Sequence, residues 1–410
     1  MLVSIISVAC LAALAVGKQQ KNVTTGAENL YTATQPASVY AAQATALTSS
    51  PTSNVAGKAF DRIMIIWNEN TDYTMAAGDP SLALLAKQGI TLQNYFGVTH
   101  PSEPNYCASL GGDHFGMNND AFNQVPLNVS TVVDLLDDKS ISWGAYQEDL
   151  PFSGFEGVGW VNQNSQANDY VRKHNPPVLY NSVATRTDRL SQIKNLTQFQ
   201  NDYKNGKLPQ WMFVTPNMTS DGHDTSVTTA GRWTLNFLTP LLKDANFMAR
   251  TLILVTFDEN HTYSIGNRVF SMLLGGAVPS NLQGTIDSNY YNHYSGLATV
   301  EANWGLHTLG RFDIGANVFK VVADQTLDQV RTWPEITSQS PSIFSNQSYA
   351  GYFNTHNNKV VLPAPNIDAV VNGRTVLPAI QQTWAGSSAS YYTTDVKIPD
   401  GLNPPAGYEV

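Results

Sequence analysis

Two apolar runs bound what this chain can fold into. Residues 63–70 read IMIIWNEN and residues 252–260 read LILVTFDEN; each is a stretch of large apolar side chains that stops abruptly on acids and amides. Such runs suit buried strands, and the segments between them alternate with helical patterns. After the strand at 62–67, Asp79-Pro80 supplies an N-cap and first helical residue for SLALLAKQ, closed by Gly89, and a second strand follows at ITLQNYF (90–96). The rhythm continues with a helix at 130–139, strands at 141–148 and 211–216, a helix around AGRWTLNFLTPLLKDANF, and strands at 252–257 and 268–274. Strands alternating with helices give an α/β fold, a mainly parallel sheet sandwiched between helices.

The chain has 410 residues, 42% of them hydrophobic, enough for a large core. Acidic residues outnumber basic ones 32 to 23, for a net charge of −9, and no Lys/Arg cluster stands ready to follow a phosphate backbone, so nucleic acid is not an expected partner. Residues 1–17 form an apolar stretch ending in small residues and read as a signal peptide, and no later run of 18 apolar residues exists, so secretion is expected and membrane insertion is not. The sequons at Asn22, Asn128, Asn195, Asn217, Asn260 and Asn346 fit a glycoprotein, with glycans expected at some of Asn22, Asn128, Asn195 and Asn346. Cys10 leaves with the signal peptide and Cys107 has no partner, which excludes a disulfide scaffold.

Residues 18–56 are rich in Ala, Thr, Ser and Gln and read as a low-complexity arm or surface wrap. A catalytic domain is expected over 57–330. Within it the Asn/Gln/Tyr-rich segment 149–207 has weak periodicity and reads as a cap or insertion. Residues 331–410 read as a C-terminal segment packed on that domain.

Ligands of parallel sheets collect where strands end at their carboxyl side. Four endings carry chemistry. The first holds Glu69 and Asn70 and the second Asp258, Glu259 and Asn260; as parallel neighbours they would form an oxygen-rich cluster for a hard divalent cation. Either ending alone is equally read as a helix cap or solvated loop. The third, WMFVTPNMTSDGHD, places Asp221, His223 and Asp224 together, an imidazole beside carboxylates that orient it, or else a polar turn. The fourth, HPSEPNYCASLGGDHFG (100–116), opens a helix with Ser102 as cap and Pro104 in its first turn. A helix N-terminus also favours an alkoxide or bound phosphate, so Ser102 is a candidate nucleophile and Asn105 a candidate anion donor, with His100 and His114 flanking it. His293, ahead of the helix YSGLATVEANWGL, reaches the same rim or is structural.

The motifs NEN with Tyr73, HPSEPNY, TPNMTSDGHD, FDEN and HYSGLATVEANWGL, in that order across about residues 60–320, resemble the phosphoesterase family. That family groups secreted acid phosphatases, fungal ones above all, with bacterial phospholipases C in the alkaline-phosphatase-like superfamily. The resemblance implies a phosphate monoester hydrolase that works through a metal and a phosphoserine. Glu69, Asn70, Asp258 and Glu259 would be the ligands and Ser102 the nucleophile. His223 with Asp224 would serve the leaving group, and His293, Asn105 and His100 the substrate. The D-x-x-x-H-x-x-x-H spacing of the two-zinc alkaline phosphatases is missing, which leaves metal identity and number open. A phospholipase C-like diesterase is the alternative within the family. A retaining glycosidase would also use an Asn-Glu at a strand end, but there it follows several βα units. A phosphate-binding protein without catalysis would need the acids and not the serine.

Overall fold

The structure is a computed structural model that describes residues 32–332, 347–359, 361–387 and 390–395. The proposed signal peptide and the sequons at Asn22 and Asn346 lie outside the described residues. Eight strands form one sheet: β1 (Arg62–Asn68), β2 (Ile90–Phe96), β3 (Trp143–Gln147), β4 (Ile193–Asn195), β5 (Trp211–Thr215), β6 (Thr251–Phe257), β7 (Arg268–Leu274) and β8 (Thr285–Asn292). Their order is β8-β2-β7-β6-β1-β5-β3-β4. All pairings are parallel except those of β7, which runs against both β6 and β2. The central strands are buried on both faces; every residue of β6 and all but the first of β1 are buried. That burial explains why these two runs carry no polar alternation.

Local signals start the helices where the sequence places them. At α1 (Pro80–Ala86) the Asp79 carboxylate accepts the amides of Ser81 at 2.9 Å and Leu82 at 3.0 Å, with Pro80 in the first turn. The helix α2 (Ser102–Gly111) follows β2, and α3 (Val132–Asp138) opens on a capping box built by Thr131 and Asp134. Later come α4 (Leu196–Lys204), α5 (Val227–Leu242) and α6 (His293–Trp304), the last of which is buried along its whole length. Gly305 ends α6 with φ +59, a left-handed stop that favours glycine.

Two segments show more structure than their sequence announces. The segment 149–207 is not only a cover: it contributes β4, the edge strand paired with β3. Three residues are too few to show a period, so nothing in the sequence marks them. Within 18–56, the described part holds a helix at Pro36–Gln43 whose Val39 is fully buried, and Ser53 and Val55 bond to Gln210. The C-terminal segment docks on the end of α2, where Asp113 accepts hydroxyls from Tyr349 at 2.5 Å, Tyr392 at 2.5 Å and Tyr391 at 3.3 Å. Arg311 donates to Tyr392 Oη at 3.1 Å and to the Pro363 carbonyl at 3.2 Å.

Candidate active site

The parallel register brings the strand endings together. Asn68 pairs with Phe257, so Glu69 and Asp258 are the next residues on adjacent strands. The ladder carries on beyond both: Asp258 N–H donates to Asn68 O at 3.1 Å, and Thr71 N–H donates to Glu259 O at 3.1 Å. On the other flank Glu69 N–H donates to Asp221 O at 3.0 Å, which ties the loop after β5 to the end of β1. Four carboxylates, Glu69, Asp221, Asp258 and Glu259, are thereby gathered at one sheet edge, none more than 2% exposed.

Such a cluster is electrostatically costly. Burial, joined by the charge of Glu69, raises Asp221, Asp258 and Glu259 well above the usual carboxylate range. Glu69 is raised by burial too, against Lys173 and His223, whose positive charge would lower it. Both oxygens of Asp258 and one of Asp221 are buried without a full hydrogen-bond partner among the described residues. Unpartnered oxygens in a buried acidic cluster fit a divalent cation, which would supply the missing partners. Ligand atoms of Glu69, His174 and Asp221 lie within 4.8 Å of one another. Carboxylate oxygens with one imidazole suit a hard or borderline metal such as magnesium, manganese or zinc.

Ser102 stands in the middle. It is the first residue of α2 and not its cap: that place belongs to Pro101, and no side-chain cap forms. The hydroxyl instead donates to Glu69 Oε2 at 3.2 Å and touches Asp258. The first turn is held from outside, with Glu103 N–H donating to Asp120 Oδ1 at 2.9 Å. Tyr106, one turn on, donates to Glu69 Oε1 at 2.7 Å.

Several residues expected at the substrate make defined contacts within the protein. Asn105 is not a free anion donor: its Oδ1 accepts Val98 N–H at 2.9 Å, and its Nδ2 donates to Thr99 O at 2.8 Å and Glu259 Oε2 at 3.3 Å. An amide with both ends engaged clamps the loop before α2. His293 lies behind the ligands, buried against Trp67; Nε2–H donates to the Asp258 carbonyl and Tyr95 Oη sits 3.4 Å from Nδ1. Burial pushes its imidazole down to about 3, and its Nε2–H holds the Asp258 backbone. His100 is likewise buried, its Nδ1 3.0 Å from Glu259 Oε2 and its Nε2 3.0 Å from Asn260 Oδ1, and it fixes Glu259. The Asn70 amide sits 3.5 Å from His261 Nδ1, with no contact to the carboxylates among the described hydrogen bonds.

His223 and Asp224 sit at the mouth, about one-third exposed, joined by a 2.8 Å contact between Nδ1 and Oδ1. Burial opposes ionisation of Asp224, but hydrogen bonds from Asn168 and His223 outweigh it and keep the carboxyl below its ordinary range.

Two contributors, His174 and Lys173, were not singled out from sequence. His174 places Nε2 3.1 Å from Glu69 Oε1 and Nδ1 3.5 Å from Asp221 Oδ2, and stacks on Tyr106 with centroids 5.0 Å apart. Lys173 pairs with Asp120 at 3.0 Å; Glu69 and Asp120 hold its ammonium charged against burial. Asp221, read from sequence as a carboxylate beside His223, joins the Glu69 cluster. The signal for His174 and Lys173 was RKHNPP (172–177), two cations and a histidine fixed by two prolines inside the supposed cap.

A model of the phosphoesterase family matches residues 73–307. A probable acid phosphatase of Kluyveromyces lactis is 52% identical over 350 residues, covering 83% of this chain and 81% of that protein. A phosphate-repressible acid phosphatase of Penicillium chrysogenum is 51% identical over 357 residues, covering 87% and 85%. Among solved structures, a protein in the alkaline phosphatase superfamily from Vibrio parahaemolyticus aligns with a TM-score of 0.40 at 12% identity, covering 64% of this chain and 73% of that one.

Proposed function

Because this chain belongs to the phosphoesterase family, we propose that it is a secreted acid phosphatase, hydrolysing small phosphate monoesters through a metal-assisted phosphoserine intermediate. The observation that carries the reading is Ser102: a buried hydroxyl at a helix start, bonded to Glu69 and touching Asp258, whose two carboxylate oxygens lack other partners. A divalent cation held by Glu69, Asp258 and Glu259, with Asn70, His174 or Asp221 completing its shell, would neutralise phosphate charge and favour the serine alkoxide.

The chain's own residues supply the rest. Glu69 Oε2 orients the Ser102 hydroxyl and offers a place for its proton. Lys173, kept charged beside the cluster, attracts the phosphate dianion. His223, oriented by Asp224 at the solvent-facing mouth, gives a proton to the departing alcohol and later accepts one from the water that hydrolyses the serine ester. Secretion rests on the signal-like residues 1–17; no helix among the described residues is long and apolar enough to cross a membrane.

Assays with p-nitrophenyl phosphate, bis-p-nitrophenyl phosphate and a p-nitrophenyl glycoside, each with and without chelator, test the reading. Chelator-sensitive cleavage of the monoester alone is expected. Preference for the diester would make the chain a phosphodiesterase, and chelator-resistant turnover would remove the metal.

A further inference from the structure

Next to the carboxylate cluster lies a cavity of about 120 Å³ whose walls include Glu103, Asp120, Phe122, Val158, Val171 and Lys173. Its walls are chain neighbours of the site: Glu103 follows Ser102, and Lys173 precedes His174. We propose that this cavity is a leaving-group subsite for a hydroxylated ring, so that sugar and polyol phosphates are the favoured monoesters; the proposal rests on the phosphatase reading.

Size and lining support that occupant. A cavity of about 150 Å³ accepts a six-membered ring, and this one approaches that volume while opening to solvent on the side of Val158, which is 58% exposed. Phe122, Val158 and Val171 offer apolar surface to the C–H face of a ring, and Arg172 lies 4.0 Å from the Phe122 ring centroid, bracing it. The polar groups suit hydroxyls. Asp120 Oδ2 and Lys173 Nζ sit 3.0 Å apart, an acceptor and a donor side by side, as adjacent hydroxyls require. Glu103 is 1% exposed and its Oε1 has no hydrogen-bond partner among the described residues, which leaves a buried polar atom at the wall for a ligand to satisfy.

The test compares phosphate release from glucose 6-phosphate and from methyl phosphate by the full chain, its Phe122→Ala variant and a Val158→Trp variant that fills the mouth. Methyl phosphate is too small to reach the cavity and reports on the reaction centre. The wild type is expected to favour glucose 6-phosphate about tenfold or more in kcat/KM, with both variants losing most of that preference through KM while methyl phosphate turnover holds. Free glucose should compete with glucose 6-phosphate in the wild type and lose that effect in the variants. Equal kcat/KM for the two esters in the wild type, or a preference untouched in both variants, overturns the subsite. Failure of the wild type to release phosphate from either ester overturns the phosphatase reading itself, a separate result.

Discussion

Ser102, Glu69 and Asp258 form the smallest unit whose chemistry can be checked. Replacing Ser102 by Ala removes one hydroxyl from a site whose packing is otherwise intact, so kcat should fall about a thousandfold or more with little change in thermal stability, read by phosphate release and calorimetry. A second residue, His114, bears on behaviour in acid. It is buried against Tyr349, and burial pushes its imidazole down to about 4. In the unfolded chain it would titrate near about 6.5, so there the unfolded state takes up the proton first. Stability from this group is therefore complete above about pH 6.5 and is lost as pH falls towards 4, by at most about 3 kcal/mol. Urea unfolding at pH 7 and pH 4.5 should show a smaller loss in His114→Phe than in the wild type. The strand endings made Glu69, Ser102, Asp258 and Glu259 legible as candidates because a parallel sheet converts them into neighbours. The direction of a side chain on a helix start is not written in spacing, and His293 and Asn105, expected at the substrate, also bond the Asp258 and Thr99 carbonyls beside the carboxylate cluster.

At the scale of elements, helix starts and central strands were readable because each has a local cause, such as Asp79 capping α1 or the uninterrupted apolar run of β6. The edge strand β4 and the turn bearing His174 were not, since both are too short to show a period. The buried pair Lys194–Asp202, 2.9 Å apart, joins β4 to α4; Tyr146 also donates to Asp202 at 2.8 Å. Lys194→Met leaves the Asp202 carboxylate buried without its cation and should cost about 3–5 kcal/mol in denaturant unfolding. Adding Asp202→Leu should recover much of that loss, because the expense lies in the orphaned charge. If the single variant unfolded like the wild type, β4 would not depend on this pair.

Over the whole molecule, one sheet edge collects buried carboxylates that repel one another, and the fold tolerates them through protons or a cation. Chelation should therefore lower the melting temperature, and saturating metal at a hundred to a thousand times its Kd should restore about 3–4 kcal/mol. Differential scanning calorimetry with and without chelator reads this directly, and an unchanged melting curve would argue against a resident cation.

The central claim is that Ser102 carries the phosphoryl group between two half-reactions. The enzyme, mixed with p-nitrophenyl phosphate, quenched in acid within the first turnovers and digested, should yield the Ser102 peptide esterified by one phosphate, seen by mass spectrometry and absent from a Ser102→Ala control. Rapid turnover with Ser102 unmodified, or phosphate found on another residue, would contradict the account.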